Sequence, residues 1–385
     1  VSIWNTEERG QLRKTVHGFV QRHVLPQLDE WERAGEIPRD LHRTAAELGL
    51  LGAGFPEEVG GSGGDVADAV TVCEEMHYAG ASGGLFASLF TSGIALPHLV
   101  AAGDPDQIDR WVRPTLAGEK IGSLAITEPG GGSDVGHLRT TAVRDGDHYV
   151  VNGAKTFITS ACRADFVVTA VRTGGTDRPG ASGVSLLVIE KGTPGFEVSR
   201  KLEKMGWLAS DTAELSFVDA RVPVGNLVGA ENSGFAQIAQ AFLTERIALA
   251  AQAYASAQRC LDLTLSWVRD RETFGRPLIS RQSVQTTVTE MARRIDVARV
   301  YTRNVVERSL AGEGDLIAEV CFAKNTAVEA GEWVANQAVQ LYGGLGYMRE
   351  SEVERQYRDM RIIGIGGGTT EILTGLAAKR LGYQA

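Results

Sequence analysis

The chain has 385 residues, enough to bury sizeable cores and to hold two or three domains. Hydrophobic residues make up 43% and charged residues 23%, which is ordinary globular composition. The net charge is −9 with both signs interspersed, so no basic surface is offered to nucleic acid and no basic block to a membrane.

Residues 1–120 read as helices. Leu12, Val16, Phe19, Val20 and Val24 recur at helical spacing until Pro26, and Leu41 to Leu51 forms a second, shorter apolar face. The glycines of FPEEVGGSGGD, from Phe55 to Asp65, break the pattern as a turn, and Val66 to Ala79 resumes it. Gly83 to Ala101 reads as a buried core helix with Pro97 inside or ending it.

Residues 121–230 change to strand patterning. An apolar run, Ile121 to Ile126, leads into Thr127-Glu128-Pro129 and three glycines. HYVVNGAKTFITS places Asn152-Gly153 between β-branched and aromatic runs, which predicts a hairpin turn there. ADFVVTAVRT, GVSLLVIEKG and AELSFVDARVPV continue an antiparallel β domain of about a hundred residues. From residue 231 the helical period holds to the C-terminus: Phe235 to Arg269, Arg281 to Leu310 and Leu316 to Leu341 predict a bundle. Helices, then strands, then helices argue against the α/β alternation of a Rossmann enzyme.

The four cysteines (Cys73, Cys162, Cys260, Cys321) show no CxxC, and the seven histidines no HxxxH or HExxH, so no metal is expected. No apolar run reaches the ~18 residues of a membrane span, and VSIWNTEERGQLRKT does not read as a signal peptide. A cytoplasmic protein with reduced thiols is the expectation.

Two strings carry chemistry. In LAITEPGGGSDVG, Leu124 to Gly136, bare glycines let backbone N–H groups approach a flat or anionic ligand, although such a run also serves as a plain connecting turn. In QLYGGLGY, Gln340 to Tyr347, followed by Glu350, Arg355 and Asp359, the glycines could equally be an ordinary helix C-cap. Both strings resemble signatures of the acyl-CoA dehydrogenase family, as do PEEVGGSG, NGAKTFIT, RETFGRPL and GGTTEI. The resemblance covers essentially the whole chain.

It implies an α+β fold with an N-terminal helical domain (1–120), a central antiparallel β domain (121–230) and a C-terminal four-helix bundle (231–385), assembled as a homotetramer. FAD would lie between the β domain and the bundle, partly bound by a neighbouring subunit. By resemblance, Leu124, Ile126, Thr127, Gly132 and Ser133 meet the flavin ring and its polar edge, with Phe157, often tryptophan in the family, and Thr159 at the other face and rim. Arg271, Phe274 and Gln282 match residues that hold the pyrophosphate and adenine half. Gln340, Leu341, Gly343 and Gly344 would contribute across the interface, and Thr369 and Glu371 would make the final polar contacts. Taken singly, each polar residue could be a cap or a surface ion pair.

Oxidising a saturated acyl thioester between Cα and Cβ needs a base for the α-proton, and a carboxylate serves if desolvation raises its pKa toward the working pH. Most of the family places this glutamate in a YEGT string; here Ile365-Gly366-Gly367-Gly368-Thr369 puts Gly367 at that position. The isovaleryl and long-chain types carry the base on the long helix after the β domain, where this chain has Phe242-Leu243-Thr244-Glu245-Arg246. Glu245 by itself could be a structural partner of an arginine; with glycine at 367 it is assigned as the base. The isovaleryl type has an acidic residue where Leu243 stands. Substrate contacts are expected from Ser133, Phe242, Leu243, Arg246 and Gly368, with the Gly367 N–H steadying the enolate and residues 85–99 near the pocket bottom.

The implied reaction makes a trans-2-enoyl-CoA and hands electrons to an electron-transfer flavoprotein. A same-fold oxidase or flavin monooxygenase using oxygen, and a non-catalytic acyl-thioester-binding protein, are the alternatives. Chain length and branching of the acyl group are not fixed by these residues.

Overall fold

The structure is a computed structural model describing residues 2–175 and 180–383. Its first part is helical: α1 (Glu7–Phe19), α2 (Leu28–Ala34), α3 (Arg39–Glu47), α4 (Val66–Tyr78), α5 (Gly83–Leu89) and α6 (Ser92–Ala102). Side-chain caps set the starts of α1, α4 and α5. Thr6 accepts from the Arg9 N–H, and Asp65 and Asp68 close a reciprocal capping box on α4. The apolar spacing of α1 continues through a π-helical turn, Val20–Val24.

A span-length apolar run is present after all. Helix α5, the turn after it and α6 make a stretch, Gly83–Ala102, with a hydropathy of 1.6, long and apolar enough by length and composition to cross a membrane. Ser88, Thr91 and Ser92 interrupt the run in sequence, which is why no continuous apolar segment is legible there. Half of that window is buried inside the protein. Leu85 and Leu89 share a core with Phe19, Val24 and Met76, while Ala95, Leu96 and Leu99 share another with Trp111, Phe166 and Val168.

Seven strands follow: β1 (Gly122–Ala125), β2 (Thr141–Asp145), β3 (His148–Thr159), β4 (Phe166–Arg172), β5 (Val184–Glu190), β6 (Phe196–Lys201) and β7 (Thr212–Pro223). They form one sheet in the order β1-β4-β2-β3-β7-β6, with β5 on the remaining edge of β4. The sheet is mixed, not purely antiparallel. β1 runs parallel to β4, from Gly122 opposite Phe166 to Ala125 opposite Thr169, and β2 meets β4 in parallel at Thr141 and Arg172. Residues 126–165 supply the long excursion that a parallel neighbour requires.

The predicted hairpin at Asn152-Gly153 is also not a turn. Strand β3 runs straight through it, and the hairpin loop is Gly146-Asp147, with Gly146 at φ 63° and Asp145 opposite His148. Asn152 instead exchanges two hydrogen bonds with Asp219 of β7 (3.0 and 2.9 Å), beside a register shift between Val151 and Gly153. Glycine is needed at 153 because φ is 149° and a Cβ would sit 2.6 Å from Thr140 Oγ1. Gly153→Ala is therefore expected to cost about 1–3 kcal/mol, lowering the urea midpoint with the slope unchanged.

The last part holds three long helices, α7 (Gly234–Asp270), α8 (Gln282–Leu310) and α9 (Ile317–Tyr342), and two short ones, α10 (Glu352–Met360) and α11 (Thr370–Arg380). Alanines 250, 251, 253, 255 and 257 of α7 let it approach Met291, Ile295 and Val305 of α8 and Ala323, Ala327 and Val334 of α9 closely. α11 completes the bundle, with Leu373 and Ala377 packed on Ala318 and Cys321. The Asp359 carboxylate of α10 accepts the Gly83 N–H from the helical part (3.0 Å) and the Trp207 N–H from the β part (2.6 Å). All four cysteines are free thiols.

Candidate active site

The turn after β1 is held from beneath. Lys155 of β3, wholly buried, donates to the Ile126 carbonyl (3.0 Å) and to Glu128 Oε1 (2.9 Å). Glu128 also accepts the Arg139 (2.6 Å) and Thr140 (2.9 Å) N–H groups. Burial drives the lysine pKa down to about 8, opposed by Glu128. Burial alone would raise Glu128, yet Lys155 and the N–H donors bring it below the carboxylate norm. Glu128 is thus structural, and this pair was missed in the sequence.

That support leaves the upper side of the turn bare. A Cβ at Gly130 or Gly131 would meet open space, Gly132 would touch only Thr127, and Ser133 is exposed. Leu124 and Ile126 join the core with Phe166 and Val168, to which Phe242 of α7 adds its ring. The Thr127 carbonyl accepts the Thr156 N–H (2.9 Å), and the Thr159 carbonyl accepts the Ser123 hydroxyl (2.6 Å), which brings β3 alongside. Between them Phe157 stands 68% exposed at φ 61°. A bulky side chain in that backbone region is strained, and strain of this kind collects at ligand sites.

One turn beyond Phe242 lies Glu245. Among the described residues its carboxylate has no ion-pair or hydrogen-bond partner. Burial raises its pKa to about 7, against the pull of Arg246 and Lys324. The arginine alternative is not what the structure holds: Arg246 Nε donates to the Gly367 carbonyl (3.2 Å), and its guanidinium lies 5.6 Å from the Phe242 ring centre. A Cβ built on Gly367 would be 3.5 Å from Glu245 Oε1 and would overlap Leu249 Cδ1. Gly367 and Gly368 have φ of 65° and 98°. The two residues assigned to proton removal and enolate binding are therefore neighbours, and Leu249 fills the place a side chain at 367 would take.

Lys324 of α9 was also missed. It is 0% exposed and donates to the Gly366 and Gly368 carbonyls, at 2.6 Å each. A lysine in step with buried Val320, Cys321, Ala327 and Val328 was the available signal. Thr369 caps α11 by accepting the Ile372 N–H (3.3 Å), and Glu371 is exposed in the first turn. Leu243 is partly buried against the bundle core.

The remaining predicted residues lie elsewhere. Arg271 follows the end of α7, Gln282 opens α8, Gln340 and Leu341 lie in the last turn of α9, and Gly343 and Gly344 open the 3₁₀ turn after it. Trp267 Nε1 donates to the Leu341 carbonyl (3.1 Å), and Trp267 stacks on Tyr342 at 4.9 Å, gathering these residues at one end of the bundle. Phe274 is 96% exposed at φ 52°, with the Arg281 guanidinium 5.5 Å from its ring centre. Twenty-five residues of α7 separate Glu245 from Asp270, about 37 Å at 1.5 Å per residue. One subunit does not bring the two sets together.

Models of the acyl-CoA dehydrogenase N-terminal, middle and C-terminal domains match residues 6–119, 123–220 and 232–382. The chain is 37% identical over 376 residues to the mitochondrial long-chain specific acyl-CoA dehydrogenase of Rattus norvegicus, covering 98% of this chain and 87% of that protein. A Mycobacterium smegmatis structure assigned to the acyl-CoA dehydrogenases matches at TM-score 0.98 and 76% identity, over 100% of both chains. A prolyl acyl carrier protein oxidase matches at TM-score 0.92 and 28% identity, over 98% of this chain and 100% of that one. With three domains matched in order over nearly the whole length, the chain belongs to the acyl-CoA dehydrogenase family, oxidoreductases that bind FAD.

Proposed function

We propose that this protein removes an α-proton and a β-hydride from an acyl-CoA, releasing the trans-2-enoyl-CoA. The observation that carries the reading is the unpaired Glu245 carboxylate beside Gly367. Glu245 takes the α-proton, and the Gly367 N–H donates to the thioester oxygen as negative charge collects there. Arg246 and Lys324 keep the glycine segment in place by binding its carbonyls. Phe242 and Leu243 border the acyl group, with Gly368 and Ser133 toward the thioester.

The donor set suits a flavin nucleotide: bare backbone at Gly130 to Gly132, hydroxyls at Thr127, Ser133 and Thr159, and an exposed ring at Phe157. FAD, when bound, supplies the two-electron acceptor for the hydride. Arg271, Phe274, Gln282, Gln340, Leu341, Gly343 and Gly344 fit the phosphate and adenine end, and Thr369 and Glu371 the last polar contacts. Because the first seven stand about 37 Å along α7 from Glu245, a second copy of the chain must supply them. This supports a homo-oligomeric site and agrees with a homotetramer. An electron-transfer flavoprotein is the proposed acceptor of the electrons.

Anaerobic titration of the FAD-loaded protein with a panel of acyl-CoAs tests the reading. Bleaching of the flavin by one chain class supports it, and no bleaching by any thioester ends it. The kinship with an acyl carrier protein oxidase makes oxygen the competing acceptor. Fast reoxidation of the bleached flavin by air would favour that reading. A raised base pKa also fixes a pH profile. Flavin reduction should fall tenfold per unit below about pH 7 and level off above it, because Glu245 must be deprotonated to act. A flat profile from pH 5.5 to 8.5 would remove Glu245 from the role.

A further inference from the structure

Lys324 is used by none of the steps above except as a tether, yet its environment is not that of a tether alone. It is wholly buried, and among the described residues it has no carboxylate within ion-pair distance. Holding an ammonium in such a place costs several kcal/mol, and an apolar side chain of similar length would fill the same space without that cost. Both of its hydrogen bonds go to one three-residue segment, the Gly366 and Gly368 carbonyls, and Arg246 takes the carbonyl between them. Three successive carbonyls thus face cations, which the left-handed backbone at Gly367 and Gly368 makes possible. The Gly367 N–H, on the same peptide unit as the Gly366 carbonyl, meets no acceptor among the described residues.

We infer that Lys324 is a positioning residue for the proposed dehydrogenation: its ammonium fixes and polarises the Gly366–Gly367 peptide, so that the Gly367 N–H is a stronger donor to the enolate oxygen. This rests on the reaction proposed above. A cation on an amide oxygen draws electron density from the nitrogen and strengthens the N–H as a donor, as in hydrogen-bond chains. The effect grows as charge builds on the thioester oxygen, so it favours the transition state over the bound substrate. The charged and titratable groups facing Lys324 are Glu245 and Arg246 from α7 and Cys321 from its own helix. Burial pulls the lysine down to about 8 and Glu245 opposes this, so the ammonium persists at neutral pH. The same charge holds Glu245 lower than burial alone would.

The test uses FAD-loaded wild type, Lys324→Met and Lys324→Gln with a 3-oxoacyl-CoA of the chain class that bleaches the flavin. Its α-proton is acidic enough that the bound enolate can be titrated by ultraviolet absorbance. Wild type should lower the ligand's α-proton pKa on binding. Lys324→Met should raise that bound pKa by about one to two units, tenfold to a hundredfold, and slow flavin reduction to a similar degree. Binding of the enoyl product, whose thioester end is neutral, should stay within about threefold, and the acid limb of the rate profile should move to higher pH as Glu245 loses its neighbour. If Lys324→Met does not hold FAD, Lys324→Gln, which keeps donors without charge, is read by the same criterion. An unchanged bound pKa, or equal weakening of enolate and product, overturns the role and leaves the reaction standing. A wild-type protein that neither bleaches nor lowers the ligand pKa overturns both.

Discussion

Replacing Glu245 by glutamine should slow flavin reduction by a saturated acyl-CoA about 10³–10⁴-fold while leaving acyl-CoA affinity within a few-fold. The change keeps the shape of the side chain and removes only its ability to take a proton. The other position at which the family carries the base, 367, is glycine here. Glu128, the acidic residue of the glycine turn, is held by Lys155 and two backbone N–H groups. The same variant should be more stable. Burial raises the Glu245 pKa to about 7 from an ordinary 4.5, so this group's share of stability is fully present below about pH 4.5 and is lost as pH rises through 7. Above pH 7 the glutamine protein should gain about 1–3 kcal/mol, after allowing for the partial exposure of the site. Stopped-flow reduction and thermal melts at pH 8 measure the two effects. A variant that reduces flavin at wild-type speed, or one that melts lower, would remove the base from this helix.

The second large effect is expected from one methyl group. Gly367→Ala places a Cβ into Leu249 Cδ1, at a φ of 65° that L-residues rarely adopt. Overpacking and backbone strain together should cost about 2–4 kcal/mol. The shift needed to relieve the clash would also move the N–H proposed to meet the thioester, for which about a hundredfold loss in rate is expected. Adding Leu249→Ala should restore part of the stability, because it removes the overlap and leaves only the φ strain. Denaturant midpoints of the single and double variants provide the check, and no recovery in the double variant would mean that Leu249 is not the obstacle. With Leu249 in this place, a side chain at 367 would have to displace the leucine Cδ1, while Glu245 stands on the neighbouring turn of α7.

The long helices and the order of the three parts were legible because their periods run for many turns. The alternation within strands was equally clear, but pairing direction was not, since a single strand pattern is the same beside a parallel or an antiparallel partner. Asn152-Gly153 misled because glycine was needed for the approach of Thr140, a contact that local sequence does not carry. Gly146-Asp147 had the same local chemistry and became the turn. At the site, Glu245 and Gly367 could be paired only through resemblance; periodicity says nothing about two positions so far apart in the chain. Lys155 went unseen because a buried lysine looks like a surface one until its neighbours are known, whereas Lys324 stood in step with an apolar helix face that could have marked it.

Asp359 bears on how the molecule comes apart. One carboxylate binds N–H groups of Gly83 and Trp207, so loosening the bundle segment would strand both donors, and loosening either of the other two would leave one Asp359 oxygen without its partner. The seams visible in the sequence are then not lines of weakness. A subunit built this way should melt in one calorimetric transition, with hydrogen exchange at Gly83 and Trp207 following global unfolding rather than local fraying.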